Sequence, residues 1–223
     1  MILQIYGLTT PDDAAMVAAL GADHIGLVAG EHGRAPDEVD FATARTIFAV
    51  VPDGVKRVAL TVADDPGEIE AMARAVQPDI LHLAAPLDQF SADGAHQVRQ
   101  RLPGLPLMQS VAVTGPLAYY VAVRFAGVVD YLLLDSRDPG SSRVGVTGLT
   151  HDWSISRRIV QSVPTPVILA GGLNADNVAA AIQAVGPAGV DSQSGTSRRD
   201  NPLRKDLERV RRFIAAVRAA SSP

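Results

Sequence analysis

An eightfold alternation constrains this chain more than any other feature. Short apolar runs, each closed by a polar or glycine-rich turn, give way to alanine-rich stretches of helical spacing, and then the apolar run returns. The runs cover residues 2–6, 24–29, 57–63, 80–84, 107–113, 128–135, 166–170 and 189–193. They are rich in Val, Ile and Leu with little polar alternation, as strands buried on both faces read. The helical stretches between them predict helices over 11–20, from 36–37, over 66–76, 92–101, from 115–116, over 153–162, 174–185 and 203–220. The first helix carries its own punctuation: Thr10 as N-cap, Pro11 in the first turn, Asp13 as a capping-box acid and Gly21 as the terminating glycine.

Strand–helix cycles of about 25 residues give a parallel sheet with right-handed crossovers. Eight of them favour closure over an open doubly wound sheet. The expected fold is therefore α/β, a single (β/α)8 TIM barrel spanning residues 1–223, a length near the roughly 250 residues usual for that fold. Closure has a consequence for chemistry. Reactive groups belong where strands end and the following loops begin.

Composition removes several classes of function. The net charge is −4, and the densest basic stretch, residues 204–212, is interleaved with Asp206, Leu207, Glu208 and Val210 as on a solvated helix face. No nucleic-acid or anionic-membrane partner is implied. The chain has no cysteine, which excludes disulfides, thiolate nucleophiles and cysteine metal sites. Its first residues lack a basic leader and an apolar stretch of signal length, and no apolar run approaches the roughly 18 residues of a membrane span. A cytoplasmic protein without internal linkers is expected. No cofactor is implied, and Asp64-Asp65 and the acids between 37 and 40 do not space like metal ligands. Whether the chain is a monomer or a homodimer is not legible.

Glycines gather after the last three apolar runs: Gly145 and Gly148 after the sixth, Gly171-Gly172 after the seventh, and Gly195, between Ser194 and Thr196, after the eighth. Glycine admits a ligand close to the backbone, and N–H groups at a helix start favour an anion. In barrels of this kind the loops after strands seven and eight recurrently hold a phosphate. Gly171, Gly172, Gly195 and Thr196 are the expected phosphate-binding residues, with Asn174 capping the helix aimed at it, and a phosphorylated small molecule is the expected substrate.

The block Val167-Ile168-Leu169-Ala170-Gly171-Gly172-Leu173-Asn174, continued by Asn177-Val178, resembles the LAGGL-NP-NV motif of the phosphoribosylanthranilate isomerase family. Gly189-Val190-Asp191 with Ser194-Gly195 is similar to its VDVSSG strand, Gly21-Ala22-Asp23 with Ile25-Gly26 to its GAD-IGF, and Gln4 through Thr9 to its KICGLT. Leu132 to Ser136, with Gly145, Thr147, Gly148 and Asp152-Trp153, follows its LLD…GGTGK-FDW stretch. The resemblance implies an Amadori rearrangement of a phosphoribosylamine in tryptophan biosynthesis. It implies Asp135 as the general acid that opens the sugar ring, Arg34 as the partner of the anthranilate carboxylate, and Gly148 and Asp191 as further substrate-binding positions.

The departures are equally specific. The family's general base is a cysteine, and Tyr6 stands in its place. The strand-four QLHG has become His82-Leu83-Ala84-Ala85, the lysine after Gly148 is Leu149, and Thr196-Ser197 replace the usual Val-Glu. A phenol with an ordinary pKa near 10 is a poor base at neutral pH, so His82, an imidazole titrating near 6.5, becomes the alternative. His24, at a strand start, is expected to be structural, and His32 and His151 to be solvent-exposed. Weak turnover of the family substrate is expected. Three readings stay open at this point: the isomerase itself, a relative acting on another phosphorylated metabolite by isomerase or lyase chemistry, and a barrel that binds such a metabolite without turnover.

Overall fold

The computed structural model describes residues 1–136 and 151–221. Its strands are β1 (Ile2–Ile5), β2 (His24–Ala29), β3 (Glu38–Val39), β4 (Lys56–Thr61), β5 (Ile80–Leu83), β6 (Leu107–Ala112), β7 (Tyr131–Asp135), β8 (Val167–Leu169) and β9 (Gly189–Ser192). The helices are α1 (Pro11–Leu20), α2 (Phe41–Ala49), α3 (Pro66–Val76), α4 (Ala92–Arg101), α5 (Ala118–Ala126), α6 (Trp153–Ser162), α7 (Val178–Val185) and α8 (Leu207–Ser221). All strand pairings are parallel, and β1 joins both β9 and β2, which closes the ring. The architecture is the expected (β/α)8 barrel. The two-residue β3 is an addition: it pairs only with β2, outside the ring.

Strand alternation divides the apolar side chains between two cores. Tyr6, Val58, Ile80, Met108, Leu133, Ile168 and Ala170 fill the barrel interior. The larger core, including Ile5, Leu27, Leu81, Leu107, Leu134 and Leu169, packs outward against helix residues such as Ile47, Ile69, Ile159 and Phe213. That double burial is why the strands read as continuous apolar runs. No helix among the described residues is long and apolar enough to cross a membrane.

Helix punctuation held at α1, where Thr10 caps the Asp13 N–H and Gly21 takes φ 96°. Asp13 itself is a correction. Its carboxylate turns away from the cap to accept two hydrogen bonds from the Arg204 guanidinium (2.8 and 3.1 Å) and one from the Lys205 N–H (3.0 Å). A bidentate charged pair and a buried donor outweigh a solvated cap. The second helix starts later than expected, at Phe41, capped by Asp40, because residues 38–39 pair with β2 and Asp37 accepts from Gln193 Nε2 at 2.8 Å. Likewise α7 starts at Val178, not Asn174. Asn174 instead organises the turn before it, accepting from the Asp176 N–H and donating its own N–H to Asn177 Oδ1. The last helix begins at Leu207 rather than 203, since Arg204 and Lys205 are tied to Asp13.

Candidate active site

The carboxyl ends of the strands bring most of the expected residues to one end of the barrel. Tyr6 leaves β1 pointing inward, 3 % exposed. Its ring lies over Gly26 of β2, where an added Cβ would stand 2.6 Å from the phenol carbons. Glycine there is what makes room for the ring. The Tyr6 hydroxyl is hydrogen-bonded to His82 Nδ1 at 2.8 Å, and His82 Nε2 to Ser110 Oγ at 2.8 Å. Both imidazole nitrogens are therefore engaged.

This geometry corrects the expectation that His82 is a free base. The imidazole is sealed beneath Tyr6, and burial lowers its pKa to about 3. Tyr6 fares no better: burial first, then the nearby Asp191 and Asp37 charges, raise the phenol well above its ordinary value. At neutral pH the Tyr6–His82–Ser110 chain is a neutral hydrogen-bonded strut.

The groups that titrate near neutrality are two carboxyls. Asp135 ends β7, and burial raises it to about 7 despite a hydrogen bond from the Ser136 N–H. Asp191 lies in β9, opposite Gln4 of β1, and is pushed up to about 8 by burial and then by the Asp135 charge. The Gln4 side chain beside it partly offsets that rise, yet Asp191 Oδ1 is buried and has no partner within hydrogen-bond distance among the described residues. An orphaned buried acceptor is costly and needs a reason, and site chemistry is one.

Between these two strands, β8 carries the glycine pair. Gly171 and Gly172 adopt φ 86° and 63°, conformations that favour glycine. A Cβ on Gly171 would also press on the Ser136 amide at 2.9 Å. Across from them, Gly195 sits in the short 3-10 turn Ser194–Thr196, its Cα directly against the Leu173 carbonyl, so the loops after β8 and β9 touch. The backbone N–H groups of Gly171, Gly172, Ser194 and Gly195 make no hydrogen bond to another described residue. They form a cradle of donors suited to an anion.

Thr196 is a correction to the expected phosphate ligands. Its N–H is spent on the Gln193 carbonyl (3.1 Å) and its hydroxyl on the Ser192 and Gln193 carbonyls. With 0 % exposure it supports the turn from behind. Arg34 lies in the loop after β2 at the rim, its guanidinium held by Glu68 at 2.8 Å. Exposed pairs of this kind contribute little, so a ligand carboxylate can compete for it. Gly148 lies outside the described residues, as does Gly145.

The remaining histidines divide. His24 is structural as expected, bonded to Gln4 Oε1 at 3.0 Å and edge-on to Tyr131. His32 is exposed. His151 is not: its Nε2 meets Ser156 Oγ at 2.6 Å, its Nδ1 is buried, and burial lowers its pKa to about 4. Sequence reading missed Ser110, Gln193 and Lys205. Ser110 and Gln193 carried a parity signal, since each follows an inward position by two. Lys205 looked like one cation of an amphipathic helix and had none. No cluster of metal-ligating side chains occurs among the described residues.

Comparison with known proteins agrees with this fold. The family described as N-(5'phosphoribosyl)anthranilate (PRA) isomerase matches residues 3–216. The N-(5'-phosphoribosyl)anthranilate isomerase of Methanocella arvoryzae is 38% identical, covering 97% of each chain. The crystal structure of the Thermotoga maritima phosphoribosyl anthranilate isomerase superposes with a TM-score of 0.83 at 26% identity, over 98% of this chain and 100% of that one. A phosphoribosyl anthranilate isomerase in complex with reduced 1-(o-carboxyphenylamino)-1-deoxyribulose 5-phosphate superposes with a TM-score of 0.80 at 25% identity, over 98% and 100%. The chain belongs to the N-(5'-phosphoribosyl)anthranilate isomerase family.

Proposed function

We propose that this protein isomerises N-(5'-phosphoribosyl)anthranilate in tryptophan biosynthesis, with half-buried Asp135 and buried Asp191 as its acid and base. The observation that carries this reading is the pair itself: two carboxyls on the strands either side of β8, raised to about 7 and about 8, flanking the glycine cradle that follows β8. A solved family member binds a reduced carboxyphenylamino-deoxyribulose 5-phosphate, which supports a phosphorylated sugar as the substrate here.

The rearrangement needs one proton delivered and one removed. Protonated Asp135 gives its proton to the furanose ring oxygen as the C1–O bond breaks and the C1–N bond becomes an iminium. Ionised Asp191 then takes the proton from C2. The C2–H electrons form the C1–C2 double bond, the iminium electrons return to nitrogen, and the enol-amine results. With pKa values this close, the pair holds a single proton over part of the neutral range, in either of two arrangements. The productive one has the proton on Asp135. Asp191 thus takes the part of the family's cysteine, and Tyr6 and His82 are left as a strut. The cradle of Gly171, Gly172, Ser194 and Gly195 receives the phosphate, and Arg34 receives the anthranilate carboxylate in exchange for Glu68.

Turnover of phosphoribosylanthranilate by the purified protein tests the reading. Asp135→Asn and Asp191→Asn are each expected to lower kcat at least about 100-fold, the scale of a lost general acid or base, with KM little changed. Wild-type protein that leaves the substrate unconverted contradicts it.

A further inference from the structure

Lys205 has almost no access to water, at 4 % exposure. Its three ammonium protons all have acceptors: the Gln193 carbonyl and Ser197 Oγ at 3.0 Å, and Thr196 Oγ1 at 3.3 Å. These acceptors belong to the one turn that follows β9 and offers the Ser194 and Gly195 N–H groups to the cradle. The hydroxyls of Thr196 and Ser197, which replace the family's Val-Glu, thereby acquire a purpose: they solvate a buried cation.

Burying an ammonium costs several kcal/mol unless a counter-charge repays it. The acids in range are Asp191, Asp37 and Asp13, with Arg209 opposing them, and desolvation outweighs all of these to lower Lys205 to about 7. None of the three carboxylates contacts Nζ among the described residues. Asp13 is taken by Arg204 and Asp37 by Gln193. A neutral side chain could brace the turn at less cost, so bracing alone does not explain a charge at this place.

We propose that Lys205 is the buried counter-charge of the phosphate site, holding the Ser194–Thr196 turn in shape and reinforcing, from behind it, the N–H groups that receive the phosphate. Lys205 is a positioning residue with a long-range electrostatic effect, and the inference rests on the cradle being the phosphate site. The occupant is a phosphate monoester or free phosphate, which the same field favours alike.

The test is titration of inorganic phosphate into the wild type and Lys205→Met, followed by 31P NMR and by the rise in Tm on binding. Methionine keeps most of the length of the stem and removes the charge from among the three oxygens. Lys205→Met is expected to bind phosphate at least about tenfold more weakly, the scale of one charge acting through several ångströms of protein. Its Tm should rise only at about tenfold higher phosphate than the wild type needs, and with substrate the loss should fall on KM rather than kcat. A merely structural lysine would lower the unliganded Tm and leave the phosphate-induced rise intact, which overturns the proposal. If Lys205→Met does not fold, Lys205→Gln, which removes the charge and keeps a polar donor facing the turn, serves in its place; phosphate affinity unchanged from wild type then overturns the proposal equally. Lys205→Met binding phosphate as well as a wild type that itself binds sinks Lys205 alone, whereas a wild type without saturable phosphate binding sinks the phosphate site as well.

Discussion

Tyr6→Phe separates the two roles that the phenol at the cysteine position can hold. The substitution removes one oxygen and keeps the ring over Gly26, where the packing is tight enough to exclude a Cβ. What it takes away is the 2.8 Å hydrogen bond to His82 Nδ1. His82 is 1 % exposed, so no water replaces the lost partner. Leaving a buried nitrogen unpaired costs about 1–3 kcal/mol, and in a chain of this size each kcal/mol lowers Tm by about 2–4 °C. A fall of roughly 2–12 °C is expected by thermal denaturation. Ser110→Ala, which breaks the other end of the same chain, should cost a similar amount. Activity should respond differently. If Asp191 is the base, kcat on phosphoribosylanthranilate stays within about threefold of wild type, because no transferring group has been removed. A fall in kcat of about 100-fold or more, with phosphate binding retained, would mean that the phenol moves the proton, and the base assignment would fail.

Three further substitutions follow from the same geometry. Tyr6→Cys opens the space over Gly26 and restores the family's thiol; turnover should rise, while the cavity lowers stability by about 3–5 kcal/mol in denaturant titrations. Gly171→Ala places a Cβ 2.9 Å from the Ser136 amide at φ 86°, so weaker phosphate binding and a loss of about 1–3 kcal/mol are expected, with unchanged phosphate affinity arguing against the cradle. Asp135→Asn tests the raised carboxyl through stability. A folded pKa of about 7 against an unfolded value near 3.9 means that the wild type loses stability as pH rises through that interval. The variant should therefore gain about 2–3 kcal/mol relative to wild type between pH 5 and pH 8.5, and a pH-independent difference would show that the carboxyl is not raised.

The barrel was legible because double burial leaves a strong trace: eight short apolar runs at regular spacing. The glycine cradle was legible for a related reason, since Gly171 and Gly172 occupy backbone conformations that side chains avoid, and the need is written in the residue type. Helix starts were less legible where a long-range partner intervened. Asp13 carries a capping-box pattern, yet Arg204, distant in sequence, claims its carboxylate. The roles of Tyr6 and His82 could not be read either. Their residue types suggest bases, and only burial and the Ser110 contact make them a neutral strut. Asp191 and Lys205 take their properties from desolvation inside the barrel and behind its last turn, a quantity that no local pattern records.

The most direct test of the carboxyl pair is the pH dependence of kcat on phosphoribosylanthranilate for wild type and Asp191→Asn. A pair holding one proton gives a bell with both limbs within about a unit of pH 7–8, and the asparagine variant should be at least about 100-fold slower across the range. A wild-type profile that climbs steadily toward pH 10, with Asp191→Asn nearly as active, would contradict the account and return the base to Tyr6.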